Sequence, residues 1–448
     1  ISYISEKYNV NISISDILEN PCIEYISDKI VNMSVITRNK ISQTTKKDYY
    51  LASCAQKRIY YSSNIAGKNS IVYNVPGGII MEKIPAINKL ENCFNKLIQR
   101  HEALRTYFDV VDGNVVQKII NNIDFKLNIS SANYKDLDKC FKNFVKPFNL
   151  NTAPLFRAEL VKFENDKCLL LFDMHHIICD GTSLQIFIKE LCSLYNNETL
   201  TNVTLTYKDF AVWENDNLKG NTFNNSKKYW ISQFKDDVPV LNLPTNYPRP
   251  VNKSYSGAKI YDKINKDITE KINNYAKANG FTPYMLLLSA YYILLSKYSM
   301  QDDIIIGSPI AARDNSQLAD IIGMFVNTLP LRMNVNNGYT FKDFLKNVKN
   351  MCLNSFEHQT YPLDELINNL NLTRDNSRNP LFDVLFTYQN NGLENLNLCN
   401  IHSEYYIPDT KISKFDLSLE VIPTNDELNI NFEYCTKLFN KDFVQNIC

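Results

Sequence analysis

The residues of this chain best suited to chemistry lie in the segment DMHHIICDGTS, where His175 and His176 are adjacent. Histidine has an ordinary pKa near neutral, so it can take up and release a proton at physiological pH. Successive side chains of a strand point to opposite faces, so the two rings cannot both face one cleft. We expect one ring to be held by packing and hydrogen bonds and the other to face a substrate.

The residues that follow the histidine pair favour a functional interpretation. Asp180 and Gly181 come at a fixed offset, and the apolar pattern predicts a helix over residues 182–195, with Thr182 or Ser183 capping its start. A base would then lie beside the free N–H groups of a helix start, which stabilise a developing negative oxygen. The alternative is a purely structural strand end, the usual role of a histidine pair.

Other chemistries have little support in the sequence. Zinc sites need three or four converging ligands, and neither HExxH nor a Cys/His cluster occurs. The eleven cysteines include no CxxC pair and are typical of free thiols in a reducing cytoplasm. No GxSxG, GxxxxGK[ST] or GxGxxG motif is present, so nothing indicates ATP or a nicotinamide cofactor.

Charge and hydropathy exclude further classes. Lys+Arg and Asp+Glu both total 48, so no charge excess predicts a nucleic acid or an anionic membrane as partner. The longest apolar run, residues 284–295, is too short to span a bilayer and predicts a buried helix. The start has no secretion signal pattern and no initiator Met, so we expect a piece of a longer polypeptide.

A chain of 448 residues exceeds one ordinary core, so two lobes are predicted. From residue 49 onward the pattern is mixed α/β, with a helix over 87–99 and a buried strand over 168–176. Asp112-Gly113 predicts a tight hairpin, and residues 424–427 predict a second one between two alternating strands. The polar and Pro-rich segments around 214–256 mark the boundary between the lobes.

A series of motifs makes the sequence resemble the condensation domains of nonribosomal peptide synthetases, relatives of chloramphenicol acetyltransferase. The segment MHHIICDGTS is similar to the family's HHxxxDG motif, which several acyltransferases share. The remaining motifs follow in the family's order, and together they are highly specific: LASCAQKRIYY (51–61), RHEALRTYF (100–108), YKDFAVW (207–213), IGMFVNTLPLR (322–332), HQTYPLDEL (358–366) and RDNSRNPLF (374–382).

The resemblance implies an α/β fold with mixed sheets (α+β), built as two chloramphenicol acetyltransferase-like lobes in a V with a tunnel between them. Residues 49–215 would form the N-terminal lobe and 216–448 the C-terminal lobe. Residues 1–32 resemble the C-terminal fragment of a peptidyl carrier domain, without the serine that bears phosphopantetheine, and residues 33–48 would be a linker.

Carried over onto this sequence, the resemblance makes His176 the catalytic histidine, with His175, Asp180 and Gly181 shaping its loop. Asp180 is expected to pair with Arg313 and to hold the loop without exchanging protons.

Arg105 is expected to support the site by tying a helix to the next strand, together with Arg100 and His101. The sequence departs from the family's usual pattern at Cys179, where Ser is frequent, and at Ala312, where Gly is frequent. Neither change removes a catalytic group.

The implied reaction is peptide-bond formation between a donor thioester on an upstream carrier and the α-amine of an aminoacyl thioester on a downstream carrier. No tightly bound cofactor is expected, because the carriers deliver 4'-phosphopantetheine arms, and an adenylation domain is expected nearby. A carrier running directly into the domain favours an L-configured donor, although a dual epimerisation and condensation domain would share this layout.

Three alternatives are weighed against this reaction. An epimerisation domain would continue differently after the aspartate, whereas this chain has GTSL over 181–184. A heterocyclisation domain would carry paired aspartates in place of HHxxxDG. An inactive scaffold that only binds carriers is disfavoured, but not excluded, by the intact His176 and Asp180.

Overall fold

The structure is a computed structural model that describes residues 2–10, 12–34, 40–336, 338–389, 397–398, 401–406 and 408–448. The strands are β1 (Tyr50–Leu51), β2 (Asn74–Met81), β3 (Thr106–Val111), β4 (Asn114–Ile119), β5 (Asn128–Ser131), β6 (Phe156–Lys162), β7 (Cys168–His175), β8 (Gly257–Ile264), β9 (Asp303–Ile310), β10 (Asn327–Asn334), β11 (Val384–Tyr388), β12 (Asn397–Leu398), β13 (Ile401–Tyr406), β14 (Leu417–Pro423) and β15 (Leu428–Cys435).

The helices lie between these strands. They are α1 (Ser2–Tyr8), α2 (Ile14–Glu19), α3 (Ile23–Asn32), α4 (Cys54–Ala66), α5 (Ile87–Arg100), α6 (Leu137–Phe144), α7 (Gly181–Tyr195), α8 (Tyr207–Lys219), α9 (Asn224–Gln233), α10 (Lys266–Ala278), α11 (Pro283–Ser299), α12 (Phe341–Glu357), α13 (Leu363–Asn369) and α14 (Lys441–Ile447). Helices alternate with mixed sheets, which confirms the predicted α/β class.

The first large sheet carries the histidine pair. Its strand order is β12-β13-β2-β7-β6-β5, with β5 parallel to β6 and β7 antiparallel to both of its neighbours. Every residue of β7 is buried, as the apolar run predicts for a strand covered on both faces. The last residue of β7, His175, lies opposite Asn74 at the start of β2.

The second large sheet has the order β10-β9-β11-β14-β15-β8, with β11 parallel to β9 and β14. The predicted hairpin around residues 424–427 joins β14 to β15 and is confirmed. The other predicted hairpin, between β3 and β4, is also confirmed. Asp112 and Gly113 both have positive φ there (50° and 77°), as a tight two-residue turn requires.

Two large hydrophobic cores correspond to the two large sheets. In the first, α5 and α7 pack on the sheet, where the rings of Phe94, Phe156 and Phe187 lie 5.3–6.1 Å apart. In the second, α11 and α12 pack on the other sheet. Helix α11 confirms the buried helix predicted from the apolar run. No described helix is long and apolar enough to cross a membrane.

Two later segments of the chain belong physically to the first core. Strand β13 pairs with β2, and buried side chains of residues 318–325 pack among those of α5 and β7. Helices α8 and α9 occupy most of the polar segment 214–228, so this segment is not an open loop. The boundary between lobes at residues 215 and 216 stays a prediction.

The N-terminal residues form short helices that lie against the rest of the chain. Helix α1 contacts the 3-10 turn at Ser316–Leu318, and α2 contacts α12. Val10 and Ile12, between the two helices, are buried. The carrier-domain origin predicted for residues 1–32 stays a prediction.

Candidate active site

His175, the last residue of β7, has a buried ring that is 4% exposed. Its Nδ1 accepts the Ile177 backbone N–H at 3.2 Å, and its Nε2 lies 3.5 Å from Ser63 Oγ. Burial, together with nearby positive charge, lowers the pKa of His175 to about 3. The ring is therefore neutral and engaged at both nitrogens, which suits a structural group.

His176 follows in the turn after β7, and this residue is partly exposed. Its backbone N–H donates to Tyr73 O at 2.7 Å, and its Nδ1 lies 2.8 Å from the carbonyl oxygen of Cys179. A carbonyl can only accept, so Nδ1 carries the proton and Nε2 carries the lone pair. Burial and the positive charge of Lys414 lower the pKa of His176 to about 4. Nε2 is thus a neutral base without a hydrogen-bond partner among the described residues.

Asp180 is fully buried, and its carboxylate binds several groups of the loop and of its surroundings. Its Oδ1 accepts the backbone N–H and the hydroxyl of Ser183, both at 2.7 Å, and its Oδ2 accepts the Phe325 N–H at 3.0 Å. Arg313 Nη2 lies 3.1 Å from Oδ1, so the ion pair that the resemblance implies is present. Every one of these contacts fixes the loop, and none reaches His176.

The predicted start of the following helix was wrong by one residue. Helix α7 begins at Gly181, and its N-cap is Asp180 rather than Thr182 or Ser183. The carboxylate of Asp180 reaches the N–H three residues on, which is the position that an N-cap side chain satisfies. The hydroxyl oxygen of Ser183 also accepts the Gly323 N–H at 3.0 Å and lies 2.7 Å from the carbonyl oxygen of Gly323.

Arg313 joins this loop to the later segment of the chain that packs in the first core. Its Nη1 donates to the carbonyls of Leu318 (2.6 Å) and Ile321 (2.7 Å), and its Nη2 also lies 3.0 Å from Ser183 Oγ. The guanidinium stacks over the Phe325 ring at 4.1 Å. Arg313 thus holds the start of α7 and residues 318–325 together.

Gly181 opens α7 with free space around it. A side-chain carbon at this position would meet no atom within 4 Å. Its φ is not in the left-handed region, so the backbone does not require glycine here. The glycine therefore leaves room beside the helix start and the histidine turn, where a reacting group can approach backbone N–H donors.

Two residues of the segment RHEALRTYF contact helix α7. Arg100 Nε and His101 Nε2 both contact Glu190 Oε2 on α7, at 3.0 and 2.6 Å. Arg105 donates to the carbonyls of Ile98 (2.9 Å) and Asn121 (3.1 Å), which ties the end of α5 to the chain after β4. In the described part of the chain, all the hydrogen bonds of the Arg105 side chain end on carbonyls of residues 98–121, so its support of the histidine turn is indirect.

Lys414 is a residue near the site that sequence reasoning missed. It lies just before β14, and its Nζ is 5.1 Å from the centroid of the Tyr73 ring. The carbonyl of Tyr73 accepts the N–H of His176, so the lysine reaches the histidine turn from the other large sheet. Lys414 is one of two lysines in KISKFDLSL and carries no local signal, because only the long-range fold brings it here.

A small cavity of about 60 Å³ lies where several motifs meet. Its lining includes Arg58 on α4, Trp213 on α8, Phe325 and Val326 before β10, and Asp364 on α13. These motif residues are far apart in sequence and come from both halves of the chain. In the described part of the chain, no group of three or more His, Cys, Asp or Glu residues is placed to hold a metal ion.

Comparisons with known proteins show the family to which the chain is similar. Residues 46–448 match the family model described as "Condensation domain". Bacitracin synthase 3 of Bacillus licheniformis is 40% identical over 444 residues, which are 99% of this chain and 7% of that protein. The chain therefore spans a small part of the curated relative that it matches.

Solved structures share the fold at low identity. The X-domain from teicoplanin biosynthesis, solved in complex with OxyB, superposes with a TM-score of 0.84 at 19% identity, covering 92% of this chain and 93% of that one. The condensation domain of the monacolin K polyketide synthase MokA gives 0.78 at 18% identity, covering 90% and 96%. These structures confirm the predicted fold.

Proposed function

This chain belongs to the condensation domain family of acyltransferases, and we propose that it joins two carrier-bound groups through a new amide bond in nonribosomal peptide synthesis. The donor would be an aminoacyl or peptidyl thioester on an upstream carrier, and the acceptor the α-amine of an aminoacyl thioester on a downstream carrier. The observation that carries the proposal is the neutral His176, which binds Cys179 O through Nδ1 and keeps Nε2 unbonded among the described residues, in the turn that leads into the open start of α7.

The acceptor needs little help to become a nucleophile. An α-amino group has a pKa of about 7.7 to 8.0, so its deprotonation at neutral pH costs about 1 kcal/mol. The amine nitrogen attacks the thioester carbonyl carbon, and the carbonyl electron pair moves onto oxygen. When this intermediate collapses, the C–S bond breaks and the thiolate of the donor arm leaves.

His176 is proposed to act on the attacking amine. With a pKa of about 4, its Nε2 is a weaker base than the free amine, so it does not deprotonate the ammonium form efficiently. Its lone pair can orient the neutral amine and take a proton once the C–N bond forms and that nitrogen becomes acidic. The proton then passes to the departing sulfur.

The remaining components of the reaction are proposals from the family. The 4'-phosphopantetheine arms would come from carrier domains on both sides, and an adenylation domain would load the downstream carrier. The described cysteines are free thiols, which supports a cytoplasmic location. An L-configured donor is proposed, with a dual epimerising and condensing domain as the alternative.

A reconstituted assay tests the function. Upstream and downstream carriers are loaded separately with aminoacyl arms, and the intact carriers are weighed by mass spectrometry after the domain is added. We expect dipeptide on the downstream carrier and a loss of about 10²-fold or more with His176→Ala. Some activity should survive in that variant, because bringing two tethered reactants together can supply roughly 7–11 kcal/mol.

The matched control is His402→Ala, which removes an exposed histidine of β13 and should leave the rate unchanged. Absence of dipeptide with several amino acid pairs, despite measured carrier binding, would favour the scaffold alternative. Full activity of His176→Ala would remove its catalytic assignment. Chiral analysis of the product from an L-loaded donor separates the two donor types, because a dual domain would deliver the D-configured residue.

A further inference from the structure

Lys414 lies in a short segment whose backbone is fixed by other parts of the second large sheet and its surroundings. Its carbonyl accepts hydrogen bonds from Lys253 Nζ at 2.6 Å and from Asn379 Nδ2 at 3.1 Å. The neighbouring strand β8 passes so closely that a side-chain carbon at Gly257 would lie 2.4 Å from the backbone nitrogen of Ser413. The backbone that carries Lys414 therefore has little freedom to move.

The side chain of Lys414 extends from this fixed segment toward the histidine turn. Its Nζ lies over the ring of Tyr73, the residue whose carbonyl holds the backbone of His176. No carboxylate of a described residue lies within ion-pair distance of Lys414. Its positive charge is felt at both rings of the pair, where it lowers the pKa of His175 and His176.

The other charged groups around Lys414 leave its charge available. Glu433 on β15 attracts it, but that carboxylate is shared with Lys259 on β8, at 3.5 Å. The positive charges of Arg58 on α4 and of Lys259 also act on Lys414, and the buried Cys179 is near enough to influence the ammonium. Burial lowers the pKa of Lys414, and the negative charge of Glu433 opposes this effect.

A cation on a fixed backbone, without a carboxylate partner among the described residues and with an electrostatic influence on a neutral base, can stabilise a negative oxygen formed during a reaction. We propose that Lys414 is a catalytic residue whose ammonium holds the oxyanion of the tetrahedral intermediate. This inference rests on the proposed function. The amine proton goes to His176 Nε2 while the carbonyl electron pair moves onto the oxygen beside Lys414. Collapse restores the carbonyl, the C–S bond breaks, and the thiolate takes the proton from His176. Lys414 keeps its own proton throughout.

Substitutions at position 414 test this role in the reconstituted assay. Lys414→Met keeps the length of the side chain and removes the charge, so kcat should fall by about 10² to 10³-fold, as for the loss of one oxyanion-hole donor. The KM for both loaded carriers should stay the same, because the oxyanion exists only after binding. Lys414→Arg keeps a permanent positive charge and should retain most of the rate. Lys437→Met, at an exposed lysine of the same lobe, is the control and should change neither constant.

A second measurement separates an electrostatic role from a structural one. NMR titration of the histidines should show that Lys414→Met raises the pKa of His176 above about 4, because a nearby positive charge is lost. If Lys414 had only a structural role, the pKa of His176 would not rise in Lys414→Met and return to its original value in Lys414→Arg. The neighbouring groups Asp180, Arg58 and Glu433 are unchanged in these variants, so the shift belongs to position 414.

The outcomes distinguish the inference from the function that it rests on. Dipeptide formation at equal kcat by the unaltered domain and Lys414→Met would overturn the role of Lys414 alone. If kcat fell equally in Lys414→Met and Lys414→Arg and the pKa of His176 did not change, Lys414 would be a structural residue. No dipeptide from the unaltered domain would overturn the proposed function and this inference with it.

Discussion

At the scale of single residues, the two adjacent histidines show how position changes one side chain into two different groups. His175 ends a buried strand and uses both nitrogens, whereas His176 begins the turn and keeps Nε2 free. The alternation of a strand predicts this divergence from sequence alone. The hydrogen-bond partners that decide which nitrogen carries the proton come from the fold.

These partners give a testable tautomer assignment. With the histidines labelled with ¹⁵N, NMR at pH 6 should show His176 with the proton on Nδ1 and His175 with the proton on Nε2. Both rings should be neutral, since their pKa values of about 4 and 3 lie well below 6.5. An ordinary histidine would be about three-quarters protonated at this pH. A charged His176 at pH 6 would contradict the assignment.

The same pKa values set a pH dependence of stability. Both folded values lie below the unfolded value near 6.5, so the unfolded chain binds more protons as the pH falls through this range. The contribution of the two histidines to the free energy of unfolding is therefore complete above about pH 6.5 and is lost as the pH falls toward 4 and 3. Urea unfolding at pH 7 and pH 5 measures this loss. The difference in the free energy of unfolding between the two pH values should be smaller for His176→Ala than for the unaltered protein.

The sequence identified the histidine pair and Asp180 from spacing, and the resemblance supplied Arg313. It could not identify Lys414. Lys414 contacts Tyr73 and Asn379, which are distant from it in the sequence. No local pattern marks a residue whose contacts depend on the long-range fold.

At the scale of elements, helix α7 supports the site and is held at its start and again in its C-terminal half. Asp180 caps its start, and Glu190, three turns on, accepts Arg100 and His101 from the end of α5. Burial opposes the charge on Glu190, but the hydrogen bonds from His101 and Arg100 are stronger and lower its pKa. The helix was predictable from its apolar pattern. Its start was missed by one residue because Asp180, Thr182 and Ser183 are all residue types that can cap a helix.

Substitution of Glu190 tests whether its contacts with Arg100 and His101 hold α7 in place. Glu190→Ala leaves the buried His101 and the guanidinium of Arg100 without their partner, so we expect the free energy of unfolding to fall by about 3–5 kcal/mol. Glu198→Ala, at an exposed carboxylate just after the same helix, should cost less than about 1 kcal/mol. Urea unfolding followed by circular dichroism measures both. Equal effects of the two substitutions would show that Glu190 does not hold α7.

At the scale of the whole molecule, the two cores are joined by chain segments that cross between them. Strand β13 comes from the second half of the sequence and pairs with β2 of the first sheet. Phe325, also from the second half, is buried in the first core and donates its N–H to Asp180. The sequence predicted two lobes from length and motif order, but it did not show these crossings, because periodicity describes faces of an element and not its distant partner.

These crossings predict that the two cores unfold together, although large chains often unfold in parts. The variant Trp213→Phe leaves Trp230, which is buried in the second core, as the single tryptophan of the chain. Its fluorescence should follow the same urea transition as circular dichroism, which reports both lobes. Phe325→Ala should lower the stability by about 3–5 kcal/mol and move both signals together, although Phe325 lies in the first core. Phe341→Ala, at an exposed ring, is the control. If Phe325→Ala shifted circular dichroism alone, the lobes would be independent, and the site between them would have to assemble without the support that the crossing segments provide.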